Sequence, residues 1–149
     1  MGEASALEWL MSIGAHPYVP FGRSPNCDLM ADLDGRPLRI QVKTSRRRTR
    51  TGWEVSLATR GGNQSWSGVA KLFDSSRSDY MFIVVADGRR WLIPSPEISA
   101  KHSMVVGPRK WARFEIERGR PLAENAEPTV ALDSRLARWG TEAVKRDAL

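Results

Sequence analysis

The chain has 149 residues, enough for one domain with a core of its own and too few for two. Its single cysteine, Cys27, excludes an internal disulfide, and the absence of an 18-residue apolar run or of a basic leader before an apolar stretch argues against export and membrane insertion, so a cytoplasmic protein is expected. The 23 basic residues outnumber the 17 acidic ones, and the excess is local: Arg39, Lys43, Arg46, Arg47, Arg48 and Arg50 are six bases with no acid among them, and without them 17 bases face 17 acids.

From Gly2 to Ile13 the pattern is helical and stops at Gly14, a residue suited to a chain leaving a helix. At about 100° per residue, Ala4, Ala6, Leu7, Leu10, Met11 and Ile13 form an apolar stripe, with Ser5, Glu8 and Ser12 opposite. Glu3 falls on that stripe. It must either find a partner that offsets its desolvation or turn to water beside the positive helix end.

Three prolines mark Ala15 to Asn26 as a loop or short edge strand, whose Tyr18, Val19 and Phe21 are expected to pack on the first helix. Next comes CDLMADLDGRPLRIQVK, Cys27 to Lys43. Its two strand-like runs are joined by Asp34-Gly35, a pair that accepts the positive φ angles of a tight hairpin turn. Strand side chains alternate, so Gln41 and Lys43 share one face while Leu38, Ile40 and Val42 take the apolar one. The hairpin brings Asp28 back beside Gln41 and Lys43. A carboxylate, an amide oxygen and an ammonium on a rigid sheet suit a hard cation and an anionic substrate.

The arginines that follow are what phosphate backbones attract, because each neutralised phosphate releases counterions and a guanidinium bonds phosphate oxygens in pairs. A solvated loop would have the same composition. Trp53 to Thr59 alternates as a further strand with Trp53, Val55 and Leu57 on one face, and RGGNQSWSG reads as a polar loop carrying Trp66, which either stacks on a base or packs on the sheet. Tyr80 to Ala86 is a strand covered on both faces, Asp87-Gly88 turns the chain, and Arg90 to Ile93 returns until Pro94 stops it. One helical turn is expected over Pro96 to Ala100, and another strand over Trp111 to Glu117 with Ala112, Phe114 and Ile116 inward. Pro121 to Pro128 is loop-like, and Asp133 to Arg146 reads as a helix with Leu132, Leu136, Trp139 and Ala143 in a narrow apolar seam. The order predicts an α/β or α+β domain with a mixed sheet over residues 1–120 and a helical tail over 121–149.

Glu3, Asp28, Gln41 and Lys43 would converge on one sheet edge beside the arginines. This arrangement resembles the PD-(D/E)XK nuclease superfamily, and within it the group I intron-associated endonucleases, in which Q-x-K replaces (D/E)-x-K. The matching pieces are Gly2-Glu3, the PFG of Pro20 to Gly22, the CDL that follows, LRIQVKT from Leu38 to Thr44, and SDYMFIVVADGRRWLIPSPEI from Ser78 to Ile98. The likeness runs from Gly2 to Ile116. It departs from the family at Cys27, where the superfamily pattern has proline, and at the uncharged Gln41, which implies weaker metal binding.

The resemblance implies a restriction-endonuclease-like core and a magnesium-dependent DNA endonuclease, with manganese as a substitute ion. In the family's terms Glu3, Asp28, Gln41 and the Val42 carbonyl would ligate the metal, and Lys43 would hold or deprotonate the attacking water. Arg46, Arg47, Arg48 and Arg50 would bind double-stranded DNA, and a homo-oligomer, dimer or tetramer, is expected, with Leu136 and Trp139 as one contact. The alternatives are a structure-selective nuclease of the Holliday-junction type, a DNA-binding protein without catalysis and with a decayed site, and RNA as the target. His16 and His102 lie far apart with one cysteine between them, so zinc is not expected, and no local signature of Ser-His-Asp chemistry occurs.

Overall fold

The computed structural model describes residues 1–22, 27–60 and 70–123. One helix, α1 (Gly2–Ser12), and ten strands follow in order: β1 (His16–Tyr18), β2 (Leu29–Leu33), β3 (Arg36–Ser45), β4 (Trp53–Ser56), β5 (Thr59–Arg60), β6 (Ala70–Lys71), β7 (Tyr80–Val85), β8 (Arg90–Pro94), β9 (Ser103–Val106) and β10 (Glu115–Ile116). The main sheet has the order β1-β2-β3-β7-β8-β10. Only β3 and β7 pair in parallel, so the sheet is mixed and the fold is α+β, as the sequence predicts.

Three layers form around β3 and β7. On one face Ala6, Trp9 and Leu10 of α1 cover Leu29, Ala31, Ile40, Val42, Phe82 and Val84. On the other, the β4–β9 pair brings Trp53, Val55, Met104 and Val106 over Met81, Ile83, Val85, Trp91 and Ile93. β7 is buried on both sides, which is why its sequence is an unbroken apolar run instead of an alternation. The Asp34-Gly35 turn is as read, with φ of 53° and 75° and the Gly35 N–H donating to Asp32 Oδ1 at 2.8 Å.

The helix departs from its expected stripe. Gly2, Ala6, Trp9 and Leu10 are buried while Met11 and Ile13 are exposed, because the large Trp9 ring turns inward against Phe82, 6.2 Å between centroids. Glu3 therefore faces water, 3.4 Å from the Met1 amino group. Gly2 permits the helix start to sit directly on β3, since a Cβ there would lie 2.5 Å from Thr44 Cγ2 and 3.0 Å from Val42 Cγ1. At the other end Gly14 adopts φ 81° while the N–H groups of Gly14 and Ala15 close on Met11 and Leu10, a Schellman ending.

Other expectations are corrected. Tyr18, Val19 and Phe21 do not pack on α1 and stand exposed, because only the short β1 edge holds this segment to β2. The helical turn is a 3₁₀ turn at Ser95–Glu97, and Arg109–Phe114 is a second one, so the expected strand over Trp111 to Glu117 is reduced to β10; Phe114 and Ile116 are half-buried as expected, while Ala112 is exposed and Trp111 is the buried residue beside it. β9 is an element the sequence reading leaves out. Trp66 and the expected helix over Asp133 to Arg146, with its seam, lie outside the described residues.

Arg90, on β8, ties helix to sheet. Its guanidinium is almost fully buried and donates to the Glu117 carbonyl at 2.6 Å, the Ser5 carbonyl at 3.3 Å and Glu8 Oε2 at 3.2 Å. Because Glu8 is exposed, removing the cation orphans no buried charge, and the loss is that of the charged hydrogen bonds. Arg90→Met is expected to destabilise the fold by about 2–3 kcal/mol, read as a lower urea midpoint at unchanged slope.

Candidate active site

The ladder between β2 and β3 ends at Leu29 opposite Ile40, and β3 runs on as Gln41 to Ser45. Asp28 sits at that end. Its N–H donates to the Ile40 carbonyl at 3.0 Å, and its Oδ2 accepts the Val42 N–H at 2.7 Å, the next backbone donor along the same edge. A strand residue directs its N–H and C=O to the same side, so the Val42 carbonyl also leaves β3 on the Asp28 side, beyond the last rung. The carboxylate thus closes the sheet edge with one oxygen. Its other oxygen has no hydrogen-bond partner among the described residues.

Two clefts flank this edge. Asp28 and Gln41 open into one of about 220 Å³, whose wall also holds Thr59, Lys71, Asp74 and Arg77. Glu3, Lys43 and Arg46 open into the other, of about 370 Å³, with Gly2, Val42 and Thr44. The structure therefore divides the four expected catalytic residues two and two, with the division between Gln41 and Val42 of one strand. Among the described residues no three His, Cys, Asp or Glu side chains gather closely enough to hold a metal ion.

Lys43 is half-buried and its ammonium is held below the ordinary lysine range. Burial is the main cause, and the negative charge of Asp28 opposes it without overcoming it. This is the electrostatic setting in which an amine gives up its proton more readily than an exposed lysine does.

The arginines lie on the tight connection between β3 and β4, closed by Thr49 and Gly52, which bond each other through the Thr49 side chain and backbone. Arg46 donates to the Leu122 and Ala123 carbonyls, Arg47 pairs with Glu54 at 3.0 Å, and Arg48 lies over the Trp53 ring at 5.0 Å. Arg50 is exposed and has no partner among the described residues. Arg39 is removed from the group, because Asp79 takes its backbone N–H and its guanidinium and is itself held below the usual carboxylate range by that contact. Sequence reasoning missed Lys71 and Arg77. Their place beside Asp28 depends on the β5–β6 pairing and on a loop whose position no local pattern encodes.

No protein-family model matches the chain, and no curated protein matches it in sequence. Its fold is similar to one seen among solved structures. A bacterial homing endonuclease, I-Ssp6803I, superposes with a TM-score of 0.61 at 18% identity over 76% of this chain and 83% of that one. Hjc from Archaeoglobus fulgidus, a Holliday junction resolvase, aligns with a TM-score of 0.46 at 14% identity over 78% of this chain and 93% of the other. The first likeness is one of overall fold. No helix among the described residues is long and apolar enough to cross a membrane.

Proposed function

We propose that the protein is a metal-dependent DNA endonuclease that hydrolyses phosphodiester bonds by activated-water attack. The observation that carries the reading is the half-buried Lys43, with its lowered pKa, on the strand whose edge Asp28 closes. The nuclease architecture supports it.

The donor set suits a hard divalent cation: the second Asp28 oxygen, the Gln41 amide oxygen and the outward Val42 carbonyl are all oxygens, the ligands magnesium or manganese takes. Glu3, on the Lys43 side, would contribute through water. When bound, such an ion polarises the phosphoryl oxygens and makes a coordinated water more acidic. Lys43 in its neutral form holds the attacking water and takes its proton. The water oxygen then bonds to phosphorus as the opposite phosphorus–oxygen bond to the sugar breaks, and the departing sugar oxygen takes a proton from solvent. The resulting ammonium stays beside the phosphate, where its charge offsets the negative charge that has developed.

Supercoiled plasmid incubated with the protein is expected to be nicked with magnesium and left intact with EDTA. Intact plasmid under both conditions would end this reading. Gln41 offers only a neutral oxygen, so Gln41→Glu is expected to lower the magnesium concentration for half-maximal cleavage by roughly tenfold, since ligand charge sets divalent affinity. An unchanged requirement in a metal titration would remove Gln41 from the ligand set. Cutting both strands of a duplex calls for a second copy, so a homo-oligomer belongs to the proposal, and comparing four-way junctions with linear duplex separates a junction-selective enzyme from a general one.

The division of Glu3 from Asp28 between two clefts favours a second reading, a DNA-binding protein without catalysis. Its mark is salt-sensitive binding that needs no magnesium and is unchanged in Asp28→Ala.

A further inference from the structure

We infer that Lys71 and Arg77 form a phosphate-gripping wall on the Asp28 side of the site, so that the nucleic-acid backbone is held there by a separate loop and not by the arginine turn after β3 alone. The ligand class rests on the nuclease reading. The wall itself rests on the cleft.

The sequence directs attention to residues 46–50, where charge is densest. In the fold, the cleft that contains Asp28 and Gln41 includes none of those arginines among its lining residues, and its two cations are Lys71, at the end of β6, and Arg77. Of the arginine run only Arg46 reaches the neighbouring Lys43 cleft, and its guanidinium is occupied by the Leu122 and Ala123 carbonyls. Arg47 is balanced by Glu54. The cations that face the closing carboxylate therefore come from another part of the chain.

The loop that carries Arg77 is built to present it. Phe73 is buried and its N–H bonds the Lys101 carbonyl at 3.0 Å, which anchors one end. Arg39 bonds the Ser76 carbonyl at 3.4 Å, while buried Ser78 and Ser95 share a hydrogen bond of 2.9 Å at the other end. Between these anchors Asp74 organises the turn. Its Oδ1 accepts the Ser76 N–H at 2.9 Å and hydroxyl at 2.7 Å, and its Oδ2 accepts Arg77 Nε at 3.3 Å. The Ser76 bonds, more than the arginine, hold the Asp74 carboxyl below its ordinary range, so it stays ionised.

Asp74 therefore acts as a positioning residue, not as a competitor for the metal. It takes the Nε side of the guanidinium and leaves the two terminal nitrogens without partners among the described residues, oriented as a fork. Lys71 is exposed and adds a point charge. A fixed fork and an ammonium beside a carboxylate site match the two acceptor oxygens of a phosphodiester next to the bond being cut. With Lys43 and Arg46 in the other cleft, cations stand on both sides of the Asp28 edge, the placement a backbone strand crossing β3 requires.

The test measures duplex binding without chemistry. A fluorescein-labelled 20-base-pair duplex is titrated in EDTA at several salt concentrations with the wild type, the Lys71→Gln/Arg77→Gln double variant and an Arg48→Gln/Arg50→Gln control. Lys71, Arg48 and Arg50 are exposed and Arg77 is half-buried, so circular dichroism melting checks that the fold is retained. The double variant is expected to bind about tenfold more weakly, with the slope of log K against log salt reduced by roughly two. A smaller loss is expected for the control. An unchanged affinity and slope in Lys71→Gln/Arg77→Gln, or a wild type that binds no duplex, would overturn the inference. Plasmid cleavage by the wild type in magnesium tests the nuclease reading separately. A protein that cuts with an unaffected double variant is a nuclease lacking this wall, and one that fails to cut while the slope falls keeps the wall without the catalysis.

Discussion

Replacing Lys43 with alanine is expected to lower plasmid cleavage by about 10²–10⁴-fold while leaving duplex affinity in EDTA within a small factor of the wild type. The reasoning starts from burial. A lysine that projects from a strand into water would be protonated at all ordinary pH values and could serve only as a cation. Lys43 is half-buried, and the cost of desolvating its charge outweighs the attraction of Asp28, so its proton is released more easily than from an exposed lysine. In the neutral form it can take a proton from water. Cleavage by the wild type is thus expected to rise with pH and to level off below the ordinary lysine value, and the residual rate of Lys43→Ala is expected to lack that step. Equal nicking by the two proteins would end the assignment of Lys43 as the proton acceptor.

The same burial has a consequence for stability. Because the folded pKa is lowered from the ordinary 10.5, the unfolded chain binds more protons than the folded one between the lowered value and 10.5. Stability conferred through this group therefore rises with pH across that window, and below it the fold carries the cost of a partly desolvated ammonium. Lys43→Met removes both the cost and the rise. Urea midpoints measured at neutral and alkaline pH should show the variant as stable as the wild type or more so at neutral pH, the opposite of its effect on cleavage.

Much of the central architecture was legible because it is written in local chemistry. Asp34-Gly35 specifies its turn by requiring two positive φ angles, the alternation from Leu38 to Lys43 specifies which side chains share a face, and Gly14 stops the helix. The unbroken YMFIVV run announces a strand covered on both sides. The rotation of α1 was not legible from the stripe of small apolar residues, because one large ring, Trp9, decided it against Phe82, a residue 73 positions away. With the helix so turned, Glu3 goes to water. The sequence pattern leaves Glu3 the choice between a buried partner and water, and the orientation of Trp9 makes that choice.

The charge pattern was legible in amount and only partly in use. Six bases in twelve residues look like one surface, yet Arg39 is taken by Asp79 and Arg46 by two carbonyls, contacts across the fold, and Arg47 pairs with Glu54 across the local turn. Conversely, Lys71 and Arg77 are isolated in sequence and become neighbours of Asp28 only after β5 pairs with β6 and Phe73 is buried. Density of charge along a chain predicts a counterion atmosphere. Which phosphate each cation meets is a property of tertiary contacts.

On the proposed reading Asp28 has two roles, which substitutions can separate. One oxygen satisfies the Val42 N–H at the place where the β2 ladder ends, a structural task, and the other is available to a cation. Asparagine keeps a carbonyl oxygen of the same length and can still accept the Val42 N–H, but it has lost the charge. Asp28→Asn is therefore expected to retain the fold, within about 0.5 kcal/mol by urea unfolding, while cleavage falls by about 10³-fold, the scale of several kcal/mol of lost charge stabilisation. Alanine removes both functions. Asp28→Ala leaves a backbone donor without its partner at the sheet edge, and a further loss of about 1–3 kcal/mol of stability is expected beside the same loss of cleavage. Should Asp28→Asn cleave as well as the wild type, the carboxylate would be an edge cap alone. The backbone bond that drew Asp28 to this position would then be the whole of its role, and the active site would have to be sought away from the β3 edge.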